Sequence, residues 1–193
     1  MKKNLLSALL IIMLVGGMFA LTACNNNNTI EQIVENNNNT KNSGKNNRVY
    51  ELIQKIEPTN TIEEINAIVG FDATLTDEKY YIYEYDFGDN YKLIVKYYSA
   101  NAKTADIKME YNRDDLRDEK VTLKNAKDLK TRLEGKEKIT YDQFKEAVGG
   151  VDGTLTEKTN YTTNYVWVNK DGGYISATFA TRDNTCSYFA YTN

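Results

Sequence analysis

The segment Thr61–Thr76, TIEEINAIVGFDATLT, returns in altered form as Thr140–Thr156, TYDQFKEAVGGVDGTLT. No other feature restricts the possible folds so strongly, because a unit spelled twice is expected to be built twice. Each segment opens with Thr and carries Glu64 or Gln143 three residues later, the spelling of a capping box. Each runs an apolar stripe into Val69-Gly70 or Val148-Gly149, where glycine permits the left-handed residue that closes a helix. Each then reads Asp-x-Thr-Leu-Thr, from Asp72 or Asp152, an Asx-turn candidate ahead of a tyrosine-rich strand.

The flanking residues extend the parallel. Arg48–Ile56 places Val49, Leu52, Ile53 and Ile56 at helical spacing, and Glu57-Pro58 ends that helix. The helix from Thr61 buries Ile62, Ile65, Ile68 and Val69. A strand over Lys79–Phe87 puts Tyr81, Tyr83, Tyr85 and Phe87 on one face, and Gly88-Asp89-Asn90 forms a hairpin tip that needs positive φ. Tyr91–Tyr98 returns with Leu93, Val95 and Tyr97 aligned. Ala105–Tyr111 then sets Ile107, Met109 and Tyr111 against Asp106, Lys108 and Glu110, the alternation of a sheet with one wet face. After the charged stretch Asn112–Lys120 the order recurs. Helices are expected over Asn125–Leu133 and Thr140–Val148, the second with Ile139 and Phe144 placed as a hydrophobic staple. Strands are expected over Thr159–Val168 (Tyr161, Tyr165 and Trp167 at even spacing), Tyr174–Thr181 and Thr185–Tyr191. One helix–helix–three-strand unit is too small to cover its own sheet. The expected fold is therefore α+β: two tandem helix–helix–antiparallel-meander repeats, 48–115 and 116–193, sharing one sheet with the helices on one face.

The N-terminus carries an address. Lys2 and Lys3 precede an apolar run over Leu5–Leu21, which ends in Leu21-Thr22-Ala23-Cys24. This reads as a signal peptide, residues 1–23, and its last four positions resemble the bacterial lipobox, with cleavage before Cys24 and diacylglycerol on its sulfur. An uncleaved membrane helix is the competing reading, since the run is long enough to span a bilayer. The small residues before Cys24 and the polar stretch after it favour cleavage. Residues 24–47 then form an Asn-rich disordered tether, because Asn competes for backbone hydrogen bonds and buries little. The expected location is outside the cell, lipid-anchored to the outer face of its membrane.

What is missing limits the chemistry. Histidine is absent, which removes the common general base, Ser-His-Asp and Cys-His pairs, and His-containing zinc sites. With Cys24 lipidated, Cys186 has no partner for an intramolecular disulfide. The 24 basic and 27 acidic residues give a net charge of -3, and loss of Lys2 and Lys3 makes it -5. That balance offers no footprint for nucleic acid. Glu84, Asp86 and Asp89 cluster near one hairpin without the ligand spacing of a calcium loop and read as solvated charges. No metal, cofactor or enzyme activity is expected.

A helix pair ending in Val-Gly followed by an antiparallel meander, all given twice, resembles the β-lactamase inhibitory protein family and the BLIP-like bacterial lipoproteins. The likeness covers Arg48–Asn193 by pattern more than by identity and includes Gly88-Asp89-Asn90-Tyr91, similar to the Gly-Asp-x-Tyr tip those inhibitors offer to an enzyme's active-site pocket. The resemblance implies Asp89 and Tyr91 as tip contacts and an aromatic open sheet face. This chain departs from the inhibitors in its tether, its lack of a disulfide, and an aromatic surface that does not match position by position. The unit is also similar to that of small lipoproteins of outer-membrane assembly.

From the residues themselves, Asp89 reads either as a mimic of a substrate carboxylate or as a residue that tolerates a tight turn. Tyr83, Tyr85, Phe87, Tyr165 and Trp167 read as core rather than recognition surface, because even spacing along a strand marks the packed face. Tyr80 and Tyr98, on the opposite parity, are assigned to the open face; Tyr174 is a third candidate whose parity a longer turn leaves open. Cys186 reads as a buried small residue. The expected function is a lipid-anchored envelope protein that binds another protein without catalysis, with a β-lactamase or penicillin-binding protein as the partner the resemblance suggests. The alternatives are an assembly subunit of an envelope membrane complex and a carboxylate-dependent wall hydrolase, which needs two acids about 5–10 Å apart in a cleft.

Overall fold

The computed structural model describes residues 43–192. The leader, Cys24 and most of the Asn-rich stretch, with the readings placed on them, lie outside the described residues. Among the described residues, four α-helices and nine strands make an α+β fold. The helices are α1 (Ser43–Lys55), α2 (Ile62–Val69), α3 (Ala126–Glu134) and α4 (Tyr141–Ala147). The strands are β1 (Thr74–Asp77), β2 (Ile82–Gly88), β3 (Tyr91–Tyr97), β4 (Ala105–Glu110), β5 (Arg117–Asp118), β6 (Thr154–Lys158), β7 (Thr162–Asn169), β8 (Tyr174–Ala180) and β9 (Cys186–Thr192). They form one sheet in the antiparallel order β1-β2-β3-β4-β6-β7-β8-β9, with the two-residue β5 beside β7 in parallel.

Both helix starts follow their spelling. Thr61 and Thr140 each accept from the N–H three residues on, and Glu64 and Gln143 accept in return from the Thr N–H at 2.9 Å. Gly70 closes α2 at φ 91°. The second segment ends instead on paired glycines, Gly149 at 118° and Gly150 at 75°. The strand count is corrected from three to four in the first half and, with the two-residue β5, to five in the second. Thr-Leu-Thr, read as the exit of a turn, is itself extended and pairs back on the next strand, Leu75 against Tyr83 and Leu155 against Tyr165. Helix α1 starts at Ser43, inside the stretch read as tether. Its docked turns, carrying the fully buried Val49 and Ile53, supply the nucleus from which it extends.

Alternate strand residues and the inner helix faces build two apolar clusters. In the first, Ile53, Ile65, Tyr85, Leu93 and Ile107 are completely buried. In the second, Leu129, Phe144, Trp167, Ile175 and Phe179 are buried. Tyr85 and Trp167, read as core, are core. The joint between the halves is narrow: β4 and β6 pair only through Ile107–Lys158 and Lys108–Glu157. Three contacts reinforce it. Leu155 of β6 packs in the first cluster, Tyr165 touches both clusters, and the Lys158 ammonium donates to Ile56 O at 3.1 Å and Glu57 Oε1 at 2.9 Å. Both clusters and all nine strands lie within Ser43–Thr192, so this stretch has a core of its own.

Burial sets an alkaline limit on stability. It pushes the Cys186 thiol from 9.0 up to about 11 and Tyr97 from 10.0 up to about 12, and it raises Tyr85, Tyr91 and Tyr141 as well. Groups raised on folding contribute stability that is complete below their unfolded pKa and is lost as pH rises through the folded value. The melting temperature is expected to hold from neutral pH to the unfolded thiol value of 9.0 and to fall above it, as the unfolded chain gains ionised thiol and phenols. Thiol-reagent labelling at pH 8 is expected to be slow until denaturant is added. Rapid labelling of native Ser43–Asn193, in which Cys186 is the one cysteine, would contradict the burial of Cys186.

Candidate protein-binding face

The clusters consume one face of the sheet, and side chains of the other parity form a face without an α-helix among the described residues. Its halves differ. On β2, β3 and β4 the open-face residues are Ile82, Glu84, Asp86, Lys92, Ile94, Lys96, Asp106, Lys108 and Glu110, mostly charged. The Lys92–Glu84 ion pair there spans 3.0 Å and is partly exposed, so it contributes little stability. On β7, β8 and β9 the open parity carries Asn164, Tyr174, Ser176, Thr178, Ala180, Tyr188, Ala190 and Thr192, with no charge, beside the buried Val166 and Val168. Tyr, Ser and Thr are adaptable contact residues: broad rings with few torsions, and small hydroxyls that donate or accept.

Two of the five residues singled out for partner contact come together on the charged half. Tyr80 and Tyr98 flank Lys96, whose ammonium lies 5.7 Å from the first ring centroid and 4.8 Å from the second. The rings remain 48% and 66% exposed, so the pair offers apolar surface with a cation between them. The Tyr98 hydroxyl donates to the Asp106 carboxylate, which fixes that ring and raises its pKa. Tyr80 reaches this position from the β1–β2 turn rather than from a strand, because β2 begins only at Ile82.

Tyr174 joins the open face on the other half, where the Arg113 guanidinium stacks 4.0 Å from its ring centroid. Beside it a depression of about 270 Å³ is lined by Lys108, Thr156, Asn164, Val166, Tyr174 and Ser176. Its floor is tied by Asn164, which accepts from the Thr156 and Ser176 hydroxyls at 3.0 and 3.1 Å and donates to Thr178 at 3.0 Å. The depression opens where β4–β6 pairing ends.

The hairpin tip separates its two candidates. Asp89 and Asn90 take the positive φ (53° and 66°) that a two-residue turn with this hand of twist requires, and Gly88, at the register shift before them, adds φ 79°. Asp89 is exposed at the tip, roughly 25 Å along β3 from Tyr98. Tyr91, read as a tip contact, is corrected: it is 3% exposed in the first cluster. Its hydroxyl donates to the Asp115 carboxylate and lies 3.3 Å from the Tyr50 hydroxyl, and burial raises its pKa. It shares the parity of Leu93 and Val95, a signal already present in the sequence. Tyr161, read with the strand face of Trp167, is instead exposed ahead of β7.

A larger cavity lies elsewhere, about 710 Å³ between the start of α2, the β1–β2 turn and the β3–β4 loop. Tyr81, Tyr83 and Tyr97 wall it, with Tyr81 held at φ 49°, strained for an aromatic residue. Each of the two cavities is lined by one carboxylate, Glu63 in the larger and Glu157 in the smaller. Comparisons with models of known protein families, with curated proteins and with solved structures find no match to this chain.

Proposed function

We propose that this is a lipid-anchored protein of the cell envelope that binds another protein, without catalysis, through the open face of its sheet. The observation that carries the reading is the exposed Tyr80–Lys96–Tyr98 cluster on a sheet face that, among the described residues, no α-helix covers. Exposed tyrosines suit a partner surface, where aromatic residues are enriched. Anchoring rests on the Leu21-Thr22-Ala23-Cys24 spelling. The element order helix, helix, four strands, present twice, supports a BLIP-like duplicated unit, and with it a β-lactamase or penicillin-binding protein as partner.

Calorimetric titration of Ser43–Asn193 against a panel of these enzymes tests the reading. Sub-micromolar binding is expected, weakened about tenfold, or roughly 1.4 kcal/mol, by Tyr80→Ala and by Tyr98→Ala. Asp89→Ala would weaken it comparably where the hairpin tip enters the enzyme's pocket. A panel without binding would remove that partner class. Recovery of the chain at fixed stoichiometry in a membrane complex would assign it instead as an assembly subunit.

A further inference from the structure

The two edges of the sheet are finished differently. At one edge β1 is four residues long, has a register shift between Leu75 and Asp77, and runs into the charged sequence Asp77-Glu78-Lys79. Short length, an irregularity and charge are devices that keep an edge from accepting another strand. At the other edge β9 is seven residues, CSYFAYT, with no charged residue, no Pro and no Gly. Its outer side is closed only at the start, where the Cys186 N–H donates to Ile139 O at 2.7 Å and Thr185 bridges Thr140. From Ser187 to Thr192 its strand partner is β8 alone, and among the described residues no backbone hydrogen bond reaches the outer side.

We propose that the outer edge of β9 pairs antiparallel with the same edge of a second copy of this chain, joining the two sheets across a twofold axis. An extended strand is the ligand that satisfies a row of free backbone donors and acceptors. In a twofold contact every side chain meets residues of its own strand, so a charged edge repels itself and an uncharged one does not. The β9 edge meets that condition and the β1 edge does not. The open-parity surface behind β9 is uncharged as well, through Tyr188, Thr178, Ala190 and Ser176, so the second sheet approaches without like-charge opposition. Tyr and Phe in β9 supply the aromatic cross-strand pairs that favour such a ladder.

Sedimentation equilibrium of Ser43–Asn193 across a concentration series, with Tyr188→Lys, Thr192→Lys and Leu75→Lys beside it, tests the proposal. The wild-type chain is expected to dimerise reversibly. Tyr188→Lys places a cation on each copy near the axis, at a site 64% exposed, and is expected to weaken the dimer at least tenfold. Thr192→Lys should act in the same direction, while Leu75→Lys at the opposite edge leaves dimerisation unchanged. Far-UV circular dichroism and Trp167 emission confirm that each variant is folded. A chain that stays monomeric throughout overturns the proposal, as does a dimer indifferent to both β9 lysines or equally sensitive to Leu75→Lys.

Discussion

Gly149→Ala is expected to cost about 3–5 kcal/mol of stability, combining a backbone clash with a strained dihedral. An ideal Cβ at this position would clash with Lys120 O and lie 3.0 Å from Lys120 C, and Gly149 sits at φ 118°. Both colliding atoms are main chain and cannot swing aside as a side chain would. The two segments are also clamped together, since the Thr122 N–H donates to Val148 O at 2.9 Å. Two other glycines calibrate the effect. At Gly153 a Cβ would meet the Trp167 ring at 2.6 Å without a positive φ, and alanine there is expected to cost about 2–3 kcal/mol. At Gly70 the nearest atom is Arg48 Nη2 at 3.8 Å, so alanine pays only for φ 91°, about 1 kcal/mol. Urea denaturation of the three variants should rank them in that order. Equal losses at Gly149 and Gly70 would mean that the Lys120 contact yields and contributes nothing.

What could be read ahead of the fold was local or periodic. Each capping box is complete within four residues, Thr61 to Glu64 and Thr140 to Gln143, so it needs no knowledge of distant partners. Alternation likewise placed Tyr85, Ile107, Met109 and Trp167 inward, because a strand residue's face follows from parity alone. Strands β1 and β6 were missed because Thr-Leu-Thr is too short to show a period, and its pairing is decided by the strand beside it. The candidate site was legible only as separate residues. Tyr80 meets Lys96 through the path of the β1–β2 turn, where Tyr81 has positive φ. Tyr174 meets Arg113 through the connector between the halves, and no spacing rule anticipates either meeting. Tyr91 failed in the opposite direction. Its parity with Leu93 and Val95 already pointed inward, and the analogy with an inhibitor's hairpin tip carried it outward.

Phe144→Ala is expected to cost about 4–5 kcal/mol, and to unfold the second half of the sheet before the first. Phe144 is fully buried, and its ring centroid lies 5.3 Å from Trp167, 5.6 Å from Phe179 and 5.3 Å from Phe189. Truncation loses the transferred area, leaves a cavity, and removes three ring pairs worth about 0.5–1.5 kcal/mol each in favourable cases. Ile65, which holds the matching place in the first segment, is equally buried but is aliphatic and makes no ring pair, so Ile65→Ala is expected to cost about 3 kcal/mol. The halves share only two residue pairs of β4–β6 ladder, so damage to one cluster need not spread to the other at the same denaturant concentration. The chain carries its own reporter of this separation. Trp167 is its one tryptophan and lies in the second cluster, whereas far-UV circular dichroism averages both halves. In Phe144→Ala the fluorescence midpoint should fall below the circular dichroism midpoint; in Ile65→Ala the order should reverse. Coincident midpoints in both variants would mean that Leu155, Tyr165 and Lys158 weld the two clusters into one cooperative unit, despite the narrow joint between the strands.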